Sequence, residues 1–290
     1  MAFETRRYGD PAAKTVLIRM TDRRDERGAD LLGLLGDGPL LVDVAVDDWN
    51  RDLSPWEAPP VFGDRAFSGG AAETLDWLLA ELLPALRAEA PDRAFFLGGY
   101  SLAGLFALWA MYRTDAFAGI AAVSPSVWFP GFWDYCRAHE PQTGVVYLSL
   151  GDREAETRQP VMATVESSIR ALHELLSDAG LPCCLEWNPG NHFRDAEERT
   201  AKGFRYLLHH RQKQLHRIAR FEALLNRAQA TDVDPAALRA LDAYYTGPDW
   251  KRDFADDAAG YLPKSLRRGV LSEDGIYNVL EAYREREETK

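Results

Sequence analysis

Through the first two thirds of the chain, short apolar runs alternate with helix-length amphipathic runs, the rhythm of an α/β protein with a mostly parallel sheet. Thr15 to Met20, Leu40 to Val46, Ala94 to Gly98, Ala118 to Val123, Val145 to Leu150 and Leu181 to Trp187 read as buried strands. Pro182 confines the last of these to an edge or to its first residue. Between them, Gly28 to Leu35 offers a short helix, and Leu75, Leu78, Leu79, Leu82 and Leu83 form a helical stripe within Ala71 to Glu89. Pro84 is expected to kink or break that helix. Leu102 to Tyr112 predicts a buried helix, Met162 to Asp178 an amphipathic one, and Arg194 to about His210 the last of the pattern. Each crossover is long enough to hold the helix that parallel strands require.

From about Arg211 no β-branched run of strand length recurs. Ile218, Phe221, Leu224 and Leu225 mark one helical face, Leu238, Leu241, Tyr244 and Tyr245 a second, and Ile276, Val279, Leu280 and Tyr283 a third. The expected division is therefore an α/β domain over 1–212 and a small helical module over 213–290.

The 290 residues are 46% hydrophobic and 27% charged, enough apolar content for a sizeable core. With 34 Lys and Arg against 45 Asp and Glu, the net charge of −11 makes nucleic acid a poor partner. Cys136, Cys183 and the adjacent Cys184 fit neither a zinc cluster nor a disulfide framework, so no metal is expected and a reducing compartment is the simpler reading. The N-terminus places charges and Pro11 where a signal peptide would have its apolar stretch, so the expected location is cytoplasmic. Ala94 to Tyr112 runs 19 residues without a charge, yet Gly98, Gly99, Ser101 and Gly104 near its middle indicate a sharp turn between two buried elements rather than a membrane span.

That turn carries the strongest chemical signal. In Gly98-Gly99-Tyr100-Ser101-Leu102-Ala103-Gly104, a serine stands between a strand and a helix, with small residues two positions to either side. A nucleophilic serine needs this spacing, because strand and helix approach closely there. The helix beginning at Leu102 points its positive end at the same spot, which favours an oxyanion. The alternatives are a tight strand-to-helix turn with small residues and a nucleotide turn; against the latter, the glycines do not fit G-x-G-x-x-G and no P-loop lysine follows.

A serine nucleophile needs a base, and the base a carboxylate, in the chain order serine, acid, histidine on this fold. Of six histidines, His173, His209, His210 and His216 fall in helical stretches, and His139 precedes the strand that would present the acid. His192 sits in a Pro- and Gly-containing loop just past the last strand. The acid is expected in Gly151-Asp152-Arg153-Glu154-Ala155-Glu156, where Glu154, three residues after the glycine, is preferred and Asp152 is the alternative. Glu156 reads as a solvated charge at a helix entry.

Gly-Tyr-Ser-Leu-Ala-Gly-Leu-Phe-Ala-Leu, Val-Ser-Pro-Ser-Val-Trp, Leu-Gly-Asp-Arg-Glu and Gly-Asn-His-Phe together resemble the esterase branch of the α/β-hydrolases, which includes esterase D-like enzymes and the ferric enterochelin esterases. The resemblance spans roughly residues 10 to 210. It implies an α/β-hydrolase fold, Ser101 as nucleophile, His192 as base and the Leu102 N–H as one oxyanion donor. The second donor would come from Met20-Thr21-Asp22, with Thr21 the candidate. Three departures stand out: Ala103 replaces a glycine, Thr21-Asp22 replaces a His-Gly pair and would bring a carboxylate near the oxyanion hole, and some siderophore-esterase relatives manage with a Ser–His dyad. Tyr244-Tyr245, Trp250, Asp253, Leu262-Pro263 and the run from Gly269 to Asp274 resemble a small bacterial helical domain of unknown function.

Trp49 and Trp56, in the loop after the second predicted strand, and Trp128, after the strand that follows the serine, are candidates to line a substrate pocket, and equally candidates for helix packing. The leading function is a serine hydrolase of the carboxylesterase type acting on a small-molecule ester or thioester, without cofactor. An acyltransferase is the second reading. The third is an idle hydrolase scaffold used for protein interaction, with protein contact or homo-oligomerisation through the C-terminal helices.

Overall fold

The computed structural model describes residues 3–61, 63–229 and 235–288. They divide into two compact units, Met1–Leu208 and His209–Lys290.

The first unit is built on a seven-stranded sheet. Along the chain come β1 (Glu4–Gly9), β2 (Thr15–Asp22), α1 (Gly28–Leu35), β3 (Leu40–Val46), α2 (Trp49–Asp52), the small hairpin strands β4 (Glu57–Ala58) and β5 (Phe67–Ser68), α3 (Ala71–Trp77) and α4 (Leu83–Glu89). There follow β6 (Ala94–Tyr100), α5 (Leu102–Ala110), β7 (Gly119–Val123), α6 (Phe132–Ala138), β8 (Val146–Gly151), α7 (Pro160–Ala163), α8 (Val165–Asp178), β9 (Cys183–Asn188) and α9 (Ala196–Ala228). The sheet order is β1-β3-β2-β6-β7-β8-β9, parallel except for β1. Every residue of β3 is buried, as expected of a parallel strand covered on both faces.

Three expectations need correction. The strand at Thr15 is second, not first, because β1 pairs antiparallel with β3 at the edge. Its half-buried Arg6 and exposed Arg7 break the apolar pattern by which a buried strand is recognised. Pro84 does not break its helix: a π turn over Leu78–Leu82 joins α3 to α4, with the Leu83 N–H donating to the Leu78 carbonyl five residues back. The widened turn accommodates the proline ring and its missing N–H, which then falls in the first turn of α4. The last helix of the pattern does not stop near His210; α9 runs 33 residues to Ala228. From Phe204 to Ala228 no Gly or Pro interrupts a run of good helix formers.

The second unit adds α10 (Pro235–Tyr245), α11 (Pro248–Ala258), a 3₁₀ turn at Gly269–Leu271 and α12 (Glu273–Glu288). Its apolar core includes Ile218, Leu225, Leu238, Leu241, Val270 and Ile276. Within it lies a polar hub. The fully buried Asp253 carboxylate accepts from Arg217 Nε (2.9 Å) and Nη2 (2.6 Å), from the Tyr244 hydroxyl (2.7 Å) and from Gln214 Nε2 (3.1 Å). The Tyr244 ring stacks on Phe221 with centroids 4.0 Å apart, and Trp250 Nε1 donates to the Val270 carbonyl. Burial pushes the nearby Arg211 guanidinium down to about 10.

Removing one partner of a buried ion pair strands the other. Asp253→Ala is therefore expected to destabilise the full chain by about 3 kcal/mol or more in denaturant unfolding, because among the described residues Arg217 then keeps only Asp249, at 3.6 Å, as an anionic partner.

Candidate active site

Ser101 sits between β6 and α5 at φ 61°, ψ −120°, in the left-handed half of backbone space that costs a non-glycine residue about 1 to 3 kcal/mol. The turn is held on both sides. The Ser101 N–H donates to the Val123 carbonyl on β7 (3.0 Å), and the Ser101 carbonyl accepts from Leu105 and Ser126. A Cβ at Gly99 would stand 2.5 Å from the Ala103 methyl, and one at Gly104 would stand 3.0 Å from the Gly99 carbonyl. Small residues at these positions are a geometric requirement of the turn.

His192, in the loop after β9, presents Nε2 to Ser101 Oγ at 3.1 Å and Nδ1 to Glu154 Oε2 at 2.7 Å. The three side chains form one hydrogen-bonded line from three loops at the carboxyl ends of β6, β8 and β9. Glu154 is 8% exposed, and its other oxygen, Oε1, accepts from the Gly151 N–H (2.7 Å), the Ser124 hydroxyl (2.7 Å) and Arg199 Nη1 (3.1 Å). Burial opposes ionisation of this carboxyl, but the donors from His192, Ser124 and Gly151 outweigh it and hold its pKa below the ordinary glutamate range.

Asp152 does not reach His192. Its Oδ1 accepts from the Gly190 N–H (2.7 Å), which ties the loop after β8 to the loop after β9. The two loops pass so closely that a Cβ at Gly151 would lie 2.4 Å from the Gly190 carbonyl. Glu156 pairs with Arg153 at the surface.

The helix α5 starts at Leu102, so its first N–H groups have no intrahelical acceptor and lie beside Ser101. In the parallel register Met20 is level with Gly99, which puts Thr21 at the same sheet edge. The Thr21 hydroxyl donates to Asp25 (3.1 Å), and Asp22 Oδ1 accepts from the Arg24 N–H (2.7 Å). The Asp22 carboxylate is thus occupied in closing its own turn.

Trp49 opens α2 and is partly buried against the core. Trp56 packs on Phe129 and Tyr135 and donates its indole N–H to the Pro130 carbonyl, while Trp128 lies partly buried against Phe67. Beside His192 stands an aromatic that the sequence does not single out: Phe193 is 88% exposed, with its ring edge-on to the imidazole at 5.4 Å.

Tyr100, Ser124, Ser126 and Arg199 also surround the line without having been assigned a role from the sequence. The Tyr100 hydroxyl donates to the His192 carbonyl (2.7 Å), and Ser126 Oγ lies 3.4 Å from Ser101 Oγ. Ser124 has φ 44°, a second strained serine two residues from Ser126. The legible signal for Arg199 is its position: it shares the buried face of α9 with Gly203 and Leu207, where a charge is out of pattern.

The arrangement recurs in fold among solved structures. A siderophore hydrolase, EstA, from Aspergillus nidulans is 19% identical, covering 68% of this chain and 83% of that one at a TM-score of 0.53. An IroE-like serine hydrolase from Shewanella oneidensis is 16% identical, covering 97% of this chain and 100% of that one at 0.60. The enterobactin esterase FES from Shigella flexneri, crystallised with enterobactin, is 18% identical, covering 71% of this chain and 54% of that one at 0.54. At these identities the likeness is one of fold, and that fold is the α/β-hydrolase fold. Residues 207–288 match a domain family of unknown function, DUF4298. No curated protein matches the chain. Among the described residues, no helix is long and apolar enough to cross a membrane.

An unfolded glutamate binds its proton near pH 4.3. With the folded value lower, the Glu154 contribution to stability is complete above that pH and is lost as pH falls through the folded value. The denaturant midpoint of the wild type, followed downward from pH 6, is expected to lose its advantage over Glu154→Gln only below about pH 4.

Proposed function

We propose that this chain is a serine-dependent hydrolase of the carboxylesterase type, acting through an acyl-enzyme on a small-molecule ester or thioester. The observation that carries the reading is the line Ser101–His192–Glu154, with its serine held at φ 61° beside the start of a helix. The names of the fold neighbours, which hydrolyse siderophores or enterobactin, support an ester as the substrate class. The chemistry is placed in residues 1–212, with 213–290 as a helical module, and the three free thiols suit a reducing, cytoplasmic setting.

Ser101 Oγ attacks the carbonyl carbon while its proton passes to His192 Nε2. Glu154 Oε2 holds Nδ1–H, which fixes the tautomer and stabilises the imidazolium. The tetrahedral oxyanion turns toward the Leu102 N–H, with the Thr21 backbone as the second donor, where the dipole of α5 is positive. Collapse breaks the bond to the alkoxy or thiol group, which leaves with the proton from His192. Water, deprotonated by the same imidazole, then releases the acid and restores Ser101.

The test is labelling of the purified protein by a fluorophosphonate, followed by peptide mapping and an ester and thioester screen. Ser101 is expected to carry the label, and Ser101→Ala and His192→Ala to abolish it and to lower kcat by about 10⁴- to 10⁶-fold. A folded wild type that takes no label at Ser101 would overturn the reading. Between the two carboxylates, Glu154→Gln is expected to lower kcat by about 10³- to 10⁴-fold, whereas Asp152→Asn stays within about tenfold. The reverse ranking would transfer the role of acid to Asp152.

A further inference from the structure

Burying a guanidinium is costly unless its neighbours repay it, and Arg199 is among the largest fully buried side chains of the protein. Its neighbours are not scattered. Nη1 donates to Glu154 Oε1 (3.1 Å) and to the Tyr100 hydroxyl (3.1 Å), and Nη2 donates to the Pro189 carbonyl (2.9 Å). Pro189 stands three residues before His192 in the same loop, and the Tyr100 hydroxyl passes the contact on to the His192 carbonyl (2.7 Å). One planar fork therefore reaches the acid directly and the backbone on both sides of the imidazole, once directly and once through Tyr100.

We propose that Arg199 is a positioning residue for the line Ser101–His192–Glu154. It pins Glu154 Oε1, so that Oε2 alone faces His192, and it braces the loop that carries the imidazole. The kinetic consequence rests on the hydrolase reading above; the positional one does not. Neither contact needs substrate, so the effect falls on turnover and not on binding. A misplacement of about 1 Å at a reacting group costs on the order of 10²-fold in rate. A lysine retains the charge but has no fork, and reaches fewer of these acceptors at once. Arg199→Met leaves Glu154 the donors from Gly151, Ser124 and His192, so the carboxylate is not stranded.

The experiment compares Arg199→Met, Arg199→Lys, Tyr100→Phe and the Arg199→Met/Tyr100→Phe double variant, with kcat expressed per site titrated by fluorophosphonate. Arg199→Met is expected to lose about 10²-fold in kcat with KM within about threefold, and Arg199→Lys to recover part of the loss. Tyr100→Phe is expected to lose about fivefold alone and less than that further in the double variant, since part of the effect of Arg199 passes through Tyr100. A kcat per titrated site within twofold of wild type for Arg199→Met overturns the proposal. So does a double variant whose loss equals the product of the single losses. If Arg199→Met does not fold, Arg199→Lys and Tyr100→Phe decide, and wild-type turnover in both overturns the proposal. A wild type without hydrolysis counts against the hydrolase reading, and the low-field Nδ1–H proton resonance of His192 then tests positioning on its own. It is expected to shift or be lost to exchange in Arg199→Met, and an unchanged resonance overturns the proposal.

Discussion

The Glu154 carboxylate is the interaction on which the rest of the site depends. It is a nearly buried charge, and such a charge survives only where donors converge on it. The donors come from separate places: the Gly151 N–H at the end of β8, the Ser124 hydroxyl after β7, Arg199 on α9 and His192 after β9. Satisfying one carboxylate thus draws four segments of the first unit together. The close passage of Gly151 and Gly190, and the Asp152 bond across the same gap, follow from that convergence. A local geometric need becomes a constraint on tertiary structure.

The second constraint is steric. Lifting Ser101 above the sheet requires the chain to pass from β6 into α5 within one residue at positive φ. Strand and helix then approach so closely that Gly99, Ala103 and Gly104 cannot carry larger groups without displacing their neighbours. The strain is held by the bond from Ser101 N–H to Val123 and by the full burial of α5. Rigid buried elements therefore hold Ser101, while loops hold His192 and Glu154. The hydrogen bonds of Arg199 and Tyr100 run to those loops.

The second unit solves a similar problem without reactive groups in line. Asp253 is at least as buried as Glu154 and is likewise met by an arginine and a hydroxyl, but its partners lie on the helices α9 and α10. Two buried carboxylates in one chain thus differ in what their donors connect. One set gathers loops around an imidazole, and the other joins helices.

What the sequence by itself determined was whatever depends on neighbours along the chain. Parallel strands buried on both faces are written as continuous apolar runs, and the small-residue spacing around Ser101 is written within seven residues. The order of serine, acid and histidine along the chain pointed to the loop after Gly151, and the three-residue spacing from that glycine to Glu154, with Asp152 left open. The edge strand β1 was not legible, because its half-exposed, arginine-bearing face has no periodicity of its own and its pairing with β3 is set by partners 31 to 41 residues away. The length of α9 was hidden because the polar Arg211 and Gln214 take its buried positions between Leu207 and Ile218, although its composition favoured continuation. Only the tertiary structure decided which carboxylate oxygen meets His192, that Asp22 closes its own turn, and that Arg199 and Ser124 belong to the site. Apart from the Asp22 turn, those outcomes are hydrogen bonds between residues 30 or more apart, and local pattern cannot encode a direction in space.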